Sequence, residues 1–386
     1  MSKTKAMDIL KKNTMIIALV VVTLFFTIQT KGSMLFPQNV NNLVAQNSYV
    51  FIMATGMLLC ILTGGNIDLS VGSIVGLVGA AGGTMMVTWK MSPGAAIPVM
   101  LVMGILIGAW QGFWIAYVRI PPFIVTLAGM LIFRGLATVI LNGMTLAPMP
   151  ESYIALFNDF IPDLFGGQGF NITCMIAGVV AAIIFVVMTF YGRMSKAKKG
   201  YELAPIGGVI AKTVVICIAI LAFMFRLAQY KGIPNVLIWI IVVVLIYNYI
   251  TAKTRTGRYF YAVGGNEKAA ELSGINTNKV YFLAYTNMGF LSAVAALVVV
   301  ARLNSANPTA GNSYEMDAIG SCFIGGASAY GGVGTVPGVI VGAILMGVIN
   351  LGMFIMGVDA NYQKVVKGAV LLLAVIFDVV SKRKVA

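Results

Sequence analysis

Long apolar runs separated by short polar breaks dominate the chain. Their lengths predict membrane-spanning helices over roughly residues 15–30, 43–63, 69–88, 95–118, 121–141, 172–191, 206–225, 233–252, 280–301 and 363–379, because about 20 helical residues match a hydrocarbon core of about 30 Å. The first run, "MIIALVVVTLFF", follows Lys11 and Lys12 as a signal peptide would. No small-residue cleavage site comes after it, so it reads as a retained first helix. The expected fold is an all-α polytopic membrane protein, with about 10 transmembrane helices plus re-entrant or broken ones. Residues 1–386 form a single transmembrane domain in this reading.

Two stretches break the pattern from within. "TGGNIDLSVGS" at 63–73 interrupts an apolar run with Gly64 and Gly65 and sets Asp68 beside it, and "GGASAYGGVGTVPG" lies inside the apolar region 318–356. Irregular backbone at membrane depth is tolerated only when buried in protein or facing a water-filled cavity. The second stretch suits the tip of a re-entrant hairpin or the turn between two short spans. Asp68 fits two roles that are compatible: an N-cap for the helix beginning near Leu69, or part of a pathway or gate, since a carboxylate deep in a bilayer is costly.

Composition agrees with the pattern: 59% of residues are apolar and 10% charged, against roughly 25% charged in soluble domains. The net charge of +14 would suggest nucleic acid in a soluble protein. Here the positions of the charges are what matter, because short cytoplasmic loops collect Lys and Arg. With the N-terminus inside, most of the 26 Lys and Arg fall on cytoplasmic segments, including 253–279 and the basic tail Lys382, Arg383 and Lys384. Both termini are then cytoplasmic. Span 280–301 ends outside, so 318–356 must enter and leave on the outer side.

Several chemistries drop out. The chain has no histidine, which removes His-based acid–base catalysis, Ser-His triads and His-ligated zinc. Cys60, Cys174, Cys217 and Cys322 stand singly in apolar stretches and read as small core residues, neither disulfides nor metal ligands. "GGVIAKT" lacks the Gly before Lys212 that a phosphate-cradling loop requires, so no nucleotide or metal is expected on this chain. No nucleophile–base pair stands out, so no catalytic residue is expected either. Glycines in "GLVGAAGG" (76–83), "MGILIGAWQG" (103–112) and "GVIVGAILMG" (338–347) suit close helix packing, within the chain or against a second copy of it. Trp110, Gln111, Trp114 and Asn142 could line a path for a solute with hydroxyls and apolar faces, offering amides and rings, or serve as interface anchors.

The polar segment "GGNEKAAELSGI", 264–275, predicts a short helix capped by Asn266, with Glu267 in the first turn and Gly274 closing it. It is too short and polar to span, and it lies in the largest basic loop, 253–279. A polytopic chain without energy-coupling chemistry that offers such a helix has the form of a lever gripped by a separate motor. A secondary transporter driven by an ion gradient is the alternative. It would need ionisable groups near the midplane, for which Asp68 and Arg134 are the candidates.

At this point the residues resemble a family. "GRYFYAVGGNEKAAELSGI", "GNIDLSVGS", "RIPPFIVTLAGMLIFRG" and "SANPTAGNSYEMDAIGSCFIGGASAYGGVGT" are similar to the sugar permeases of bacterial ABC importers, of the ribose, galactose and xylose type. Within it the chain looks most like the multiple-monosaccharide permease. The resemblance implies an inner-membrane homodimer, a cytoplasmic ATPase with two nucleotide-binding domains that binds ATP and magnesium, and an extracytoplasmic monosaccharide-binding protein. It implies galactose, glucose, xylose or arabinose as cargo.

It also implies a coupling helix formed by Glu267, Lys268, Ala269, Ala270, Glu271 and Gly274, with Ala270 against the ATPase. One departure is visible: Lys268 stands where the general pattern has Glu before Ala-Ala, and Glu267 is one place earlier. The remaining expectations are a pathway or gate at Asn66, Asp68, Ser70, Gln111 and Asn142, and docking of the binding protein on loop 303–317 through Glu315 and Asp317.

Overall fold

The computed structural model describes residues 14–203 and 205–383. The expectations placed on the N-terminal lysines and on Lys384 fall outside these residues. The elements run α1 (Thr14–Gln29), α2 (Pro37–Gln46), α3 (Ser48–Leu62), α4 (Val71–Gly83, extended by a π turn over Thr84–Thr88), α5 (Pro93–Ala116), α6 (Pro122–Ile140), α7 (Glu151–Asn158), α8 (Ile172–Lys198) and α9 (Ile206–Ala228). The second half holds α10 (Asn235–Lys253), α11 (Arg255–Gly265), α12 (Glu267–Leu272), α13 (Thr277–Leu303), α14 (Tyr314–Ile324), α15 (Val336–Ile355) and α16 (Ala360–Arg383).

Among the described residues, 9 helical stretches are long and apolar enough to cross a membrane. The expected first span becomes α1, a helix of 16 residues, about 24 Å long and so short of the hydrocarbon core. The expected last span lies within α16, which is 24 residues long but not among the 9. In the ambiguous 318–356 region, α14 is an 11-residue half-helix. The Gly-rich turn follows it, and α15 returns as a stretch of full crossing length. The region is therefore one half-helix and one span.

Every residue of α3 is buried, which makes it the central post. Around it pack α13, α14, α15 and α10; α13 and its neighbour α4 are mostly buried, while α8 and α9 expose most of their length, as lipid-facing helices do. The α5–α13 contact shows why glycines recur: a Cβ on Gly104 would lie 2.4 Å from Ala293 Cβ, and one on Gly289 would lie 2.3 Å from Gly104 O. The backbones touch, as close packing of small residues allows.

The helices leave loops at two ends. One end gathers 63–70, 117–121, 254–276 and 325–335, tied by Arg119 to Glu267 and by Gly332 N–H donating to Leu62 O. The other end gathers 141–171, 229–234 and 304–313. There Leu146 bridges Ala306 and Phe160 bridges Pro234, and Asp163 accepts hydrogen bonds from Thr173 Oγ1 and from the backbone N–H groups of Gly167 and Thr173.

Candidate functional site

At the first end, the loop 253–279 folds into two helices. Thr254 caps α11 by accepting from Gly257 N–H at 3.1 Å, and Gly257, Phe260 and Val263 face inward. Asn266 then caps α12, its Oδ1 accepting from Ala269 N–H at 3.0 Å. Gly274 closes it with φ +82°, a conformation that carries little cost only for a residue without Cβ. The capped helix is where the sequence places it, but it runs 6 residues, and α11 before it is an addition.

The orientation of α12 corrects one expectation. Ala270 is 5% exposed and packs into this chain's own core, so it does not face a partner. Lys268, Ala269 and Glu271 point outward, and Leu272 is 90% exposed. Beside them a cleft of about 430 Å³ is lined by Tyr117, Glu271, Asn276 and Asn278 among others. Glu267 is committed within the chain: Arg119 Nη1 donates to Oε1 at 2.7 Å, and Tyr281 Oη donates to Oε2 at 3.1 Å. Arg119 also donates to Thr277 Oγ1 and stacks over the Tyr281 ring.

Partial burial alone would raise the Glu267 pKa. The hydrogen bonds from Arg119 and Tyr281, with the guanidinium charge, outweigh it and hold the carboxyl below its ordinary value. A carboxylate with a lowered folded pKa contributes stability above its unfolded pKa and loses it as pH falls through the folded one. Glu267→Gln is therefore expected to lower thermal stability slightly at neutral pH, by no more than about 1 kcal/mol for so exposed a pair. Wild type and variant should converge as the pH drops below the usual Glu range. Melting curves across pH check this, and a gap that persists in acid contradicts it.

Three of the expected pathway residues come together above this end. Asp68 is fully buried, and its Oδ1 accepts from Ser70 N–H at 2.8 Å and from Ser70 Oγ at 2.6 Å. Gln111 Nε2 donates to Ser70 Oγ at 2.7 Å. Asp68 thus stabilises the entry to α4 from two residues ahead, and Ser70 holds the cap position itself. Asp68 Oδ2, Gln111 Oε1 and the nearby Ser73 Oγ are buried without a protein partner. Asn66 sits at the rim, bonded to Thr63. Asn142 lies apart, exposed after α6 at the opposite end, with φ +48°.

At that opposite end, Arg134 Nη1 donates to Pro308 O at 3.1 Å and Ala310 O at 2.6 Å, pinning the loop 304–313 to α6. Asp317 is fully buried. Its Oδ2 accepts from Lys367 Nζ at 2.8 Å and Tyr49 Oη at 2.6 Å, and the Tyr49 ring stacks on Tyr314 at 3.6 Å. From there Asp317 cannot touch a docking protein, so the acidic-pair expectation is corrected for it. Glu315 is half-buried and turned toward Gly72 of α4. The loop's exposed polar residues are Asn304, Thr309 and Asn312. Lys367 and Tyr49 were not anticipated; the one available signal was a lysine inside the last apolar run.

Comparison with known proteins gives the chain's family. Residues 39–375 match the family described as branched-chain amino acid transport system / permease component, and the chain belongs to that family. It is 37% identical over 370 residues to the xylose transport system permease protein XylH of Haemophilus influenzae, covering 96% of each chain. It is 38% identical to XylH of Escherichia coli K12, covering 96% of this chain and 92% of that one. It is 35% identical over 341 residues to the ribose import permease protein RbsC of the same strain, covering 88% and 85%. No solved structure matches the chain.

Proposed function

We propose that this chain is the permease subunit of a sugar ABC importer in the bacterial inner membrane, carrying a monosaccharide of the galactose, glucose, xylose or arabinose class. Family membership and the near-complete overlap with xylose and ribose permeases support the class. The chain is a transport subunit and no enzyme. ATP and magnesium are bound by a separate cytoplasmic ATPase with two nucleotide-binding domains, and sugar arrives on an extracytoplasmic binding protein. The permease works as a homodimer with both termini and the α11–α12 end in the cytoplasm. The basic residues around 253–279 support that orientation.

The observation that carries the coupling role is α12 itself: capped, outside the spans, and presenting Lys268, Ala269, Glu271 and Leu272 to solvent. Glu267, Ala270 and Gly274 hold that surface in place from behind. Movement of α12 by the ATPase rocks the bundle so that a path through it opens alternately to each side. The Asp68–Ser70–Gln111 seam, with its unpartnered buried oxygens, offers sugar hydroxyls or water the acceptors that buried polar groups require. The binding protein docks at the opposite end, on the polar residues of loop 304–313.

Reconstitution tests this reading. Proteoliposomes holding the permease, its ATPase and the binding protein are expected to take up sugar only with ATP, and to keep doing so when proton and sodium gradients are collapsed. Uptake by the permease alone, driven by an ion gradient, would establish the secondary-carrier alternative, with the Asp68 carboxylate as the first ion site to examine.

A further inference from the structure

We propose that the Gly-rich turn 326–334 is a rigid joint through which α11 drives the α3–α4 connection, with Gly264 and Tyr261 as its positioning residues. This rests on the coupling reading above and adds the route by which the motion leaves the coupling helices. Tyr261 Oη of α11 donates to Gly334 O at 2.9 Å. Gly332 N–H donates to Leu62 O, the end of α3, at 3.0 Å. The turn therefore bonds to α11 on one side and to the central post α3 on the other.

The contact is backbone on backbone. A Cβ on Gly264 would lie 1.7 Å from Leu62 O and 2.6 Å from Gly332 N. One on Gly65 would lie 1.9 Å from Ala329 O, and one on Gly331 would lie 2.5 Å from Gly64 Cα. Side chains absorb small displacements by changing rotamer, but close-packed main chains cannot, so a shift of α11 passes directly to 62–65. Three residues beyond Gly65 lies Asp68, bonded to Ser70 at the start of α4 and through it to Gln111 of α5. The joint thus ends on the polar seam. The turn's far side is steadied by Ala329 N–H donating to Asp378 of α16 at 3.1 Å. The three Gly-rich segments, far apart in sequence, share one purpose: they leave no side chain between α11 and α3.

Adjacent glycines give the experiment an internal control, because a Cβ on Gly265 meets nothing within 4 Å. Gly264→Ala, Gly265→Ala and Tyr261→Phe are compared with wild type in proteoliposomes by ATPase copurification, by binding-protein-stimulated ATP hydrolysis and by sugar moved per ATP. Gly265→Ala should match wild type. Gly264→Ala should keep the ATPase bound and hydrolysing while sugar moved per ATP falls about tenfold. Tyr261→Phe removes one hydrogen bond and should lower the same ratio by roughly two- to tenfold.

An unchanged ratio in Gly264→Ala, or uptake and hydrolysis falling together, overturns the joint. If Gly264→Ala fails to reach the membrane, Tyr261→Phe decides alone, and an unchanged ratio there overturns it. Failure of the unmodified chain to copurify with the ATPase overturns the coupling reading and the joint with it.

Discussion

Lys367→Met is expected to destabilise the protein by about 3–5 kcal/mol, because it strands the fully buried Asp317 carboxylate without its cation. Asp317 Oδ1 already has no hydrogen-bond partner, so the surroundings hold no spare donor to compensate. Tyr49 Oη alone would remain on Oδ2. The double variant Lys367→Met with Asp317→Asn should recover much of the loss, since a neutral amide costs far less to bury than an unpaired charge. Melting in detergent for the two single variants and the double measures the coupling directly. Additive losses would mean that the pair contributes nothing as a pair. The structural consequence is that α16 is pinned to α14 at the end that carries loop 304–313. Weakening this contact should lower the yield of folded permease before it alters coupling.

Asp317 also shows where sequence reading stops. Glu315 and Asp317 look like a surface pair in a polar loop. Residues two apart on a helix do not share a face, and α14 begins at Tyr314, so Asp317 turns inward. Its partner Lys367 is 50 residues further on, and nothing in the local pattern connects them. The same limit applies to α12. The cap at Asn266 and the stop at Gly274 are local chemistry and were legible, as were the spans with long apolar runs. Which of Ala269 and Ala270 faces inward depends on what packs behind a 6-residue helix, and Ala270 proved to be the inner one.

Helix α11 was not anticipated: Gly257, Gly264 and Gly265 each weaken a helical pattern in so short a stretch. Its inward face at Gly257, Phe260 and Val263 has meaning only against the helices it covers. The Gly-rich turn was recognised as a buried tip, but its partners Leu62 and Tyr261 come from distant parts of the chain. The Asp68, Ser70 and Gln111 cluster was half legible: the first two are neighbours in sequence, and Gln111 joins them only through the packing of α5 beside α4.

If α12 is the grip of a separate ATPase, as proposed, Leu272 is the side chain that the ATPase should bury. It is 90% exposed in this chain, so a substitution there leaves the permease's own packing alone, whereas one at the buried Ala270 would not. A large apolar side chain held out on a capped helix is the kind of anchor an interface buries. Replacing it with a carboxylate would place an unpaired charge in that contact, at a cost of about 2 kcal/mol or more, or about 30-fold in affinity. The measurement is copurification of the ATPase with Leu272→Glu permease, read beside sugar uptake by the same preparation and with melting as the check on folding. Wild-type melting, loss of the bound ATPase and loss of uptake are expected. Wild-type melting with full ATPase retention and normal uptake would contradict that role for α12.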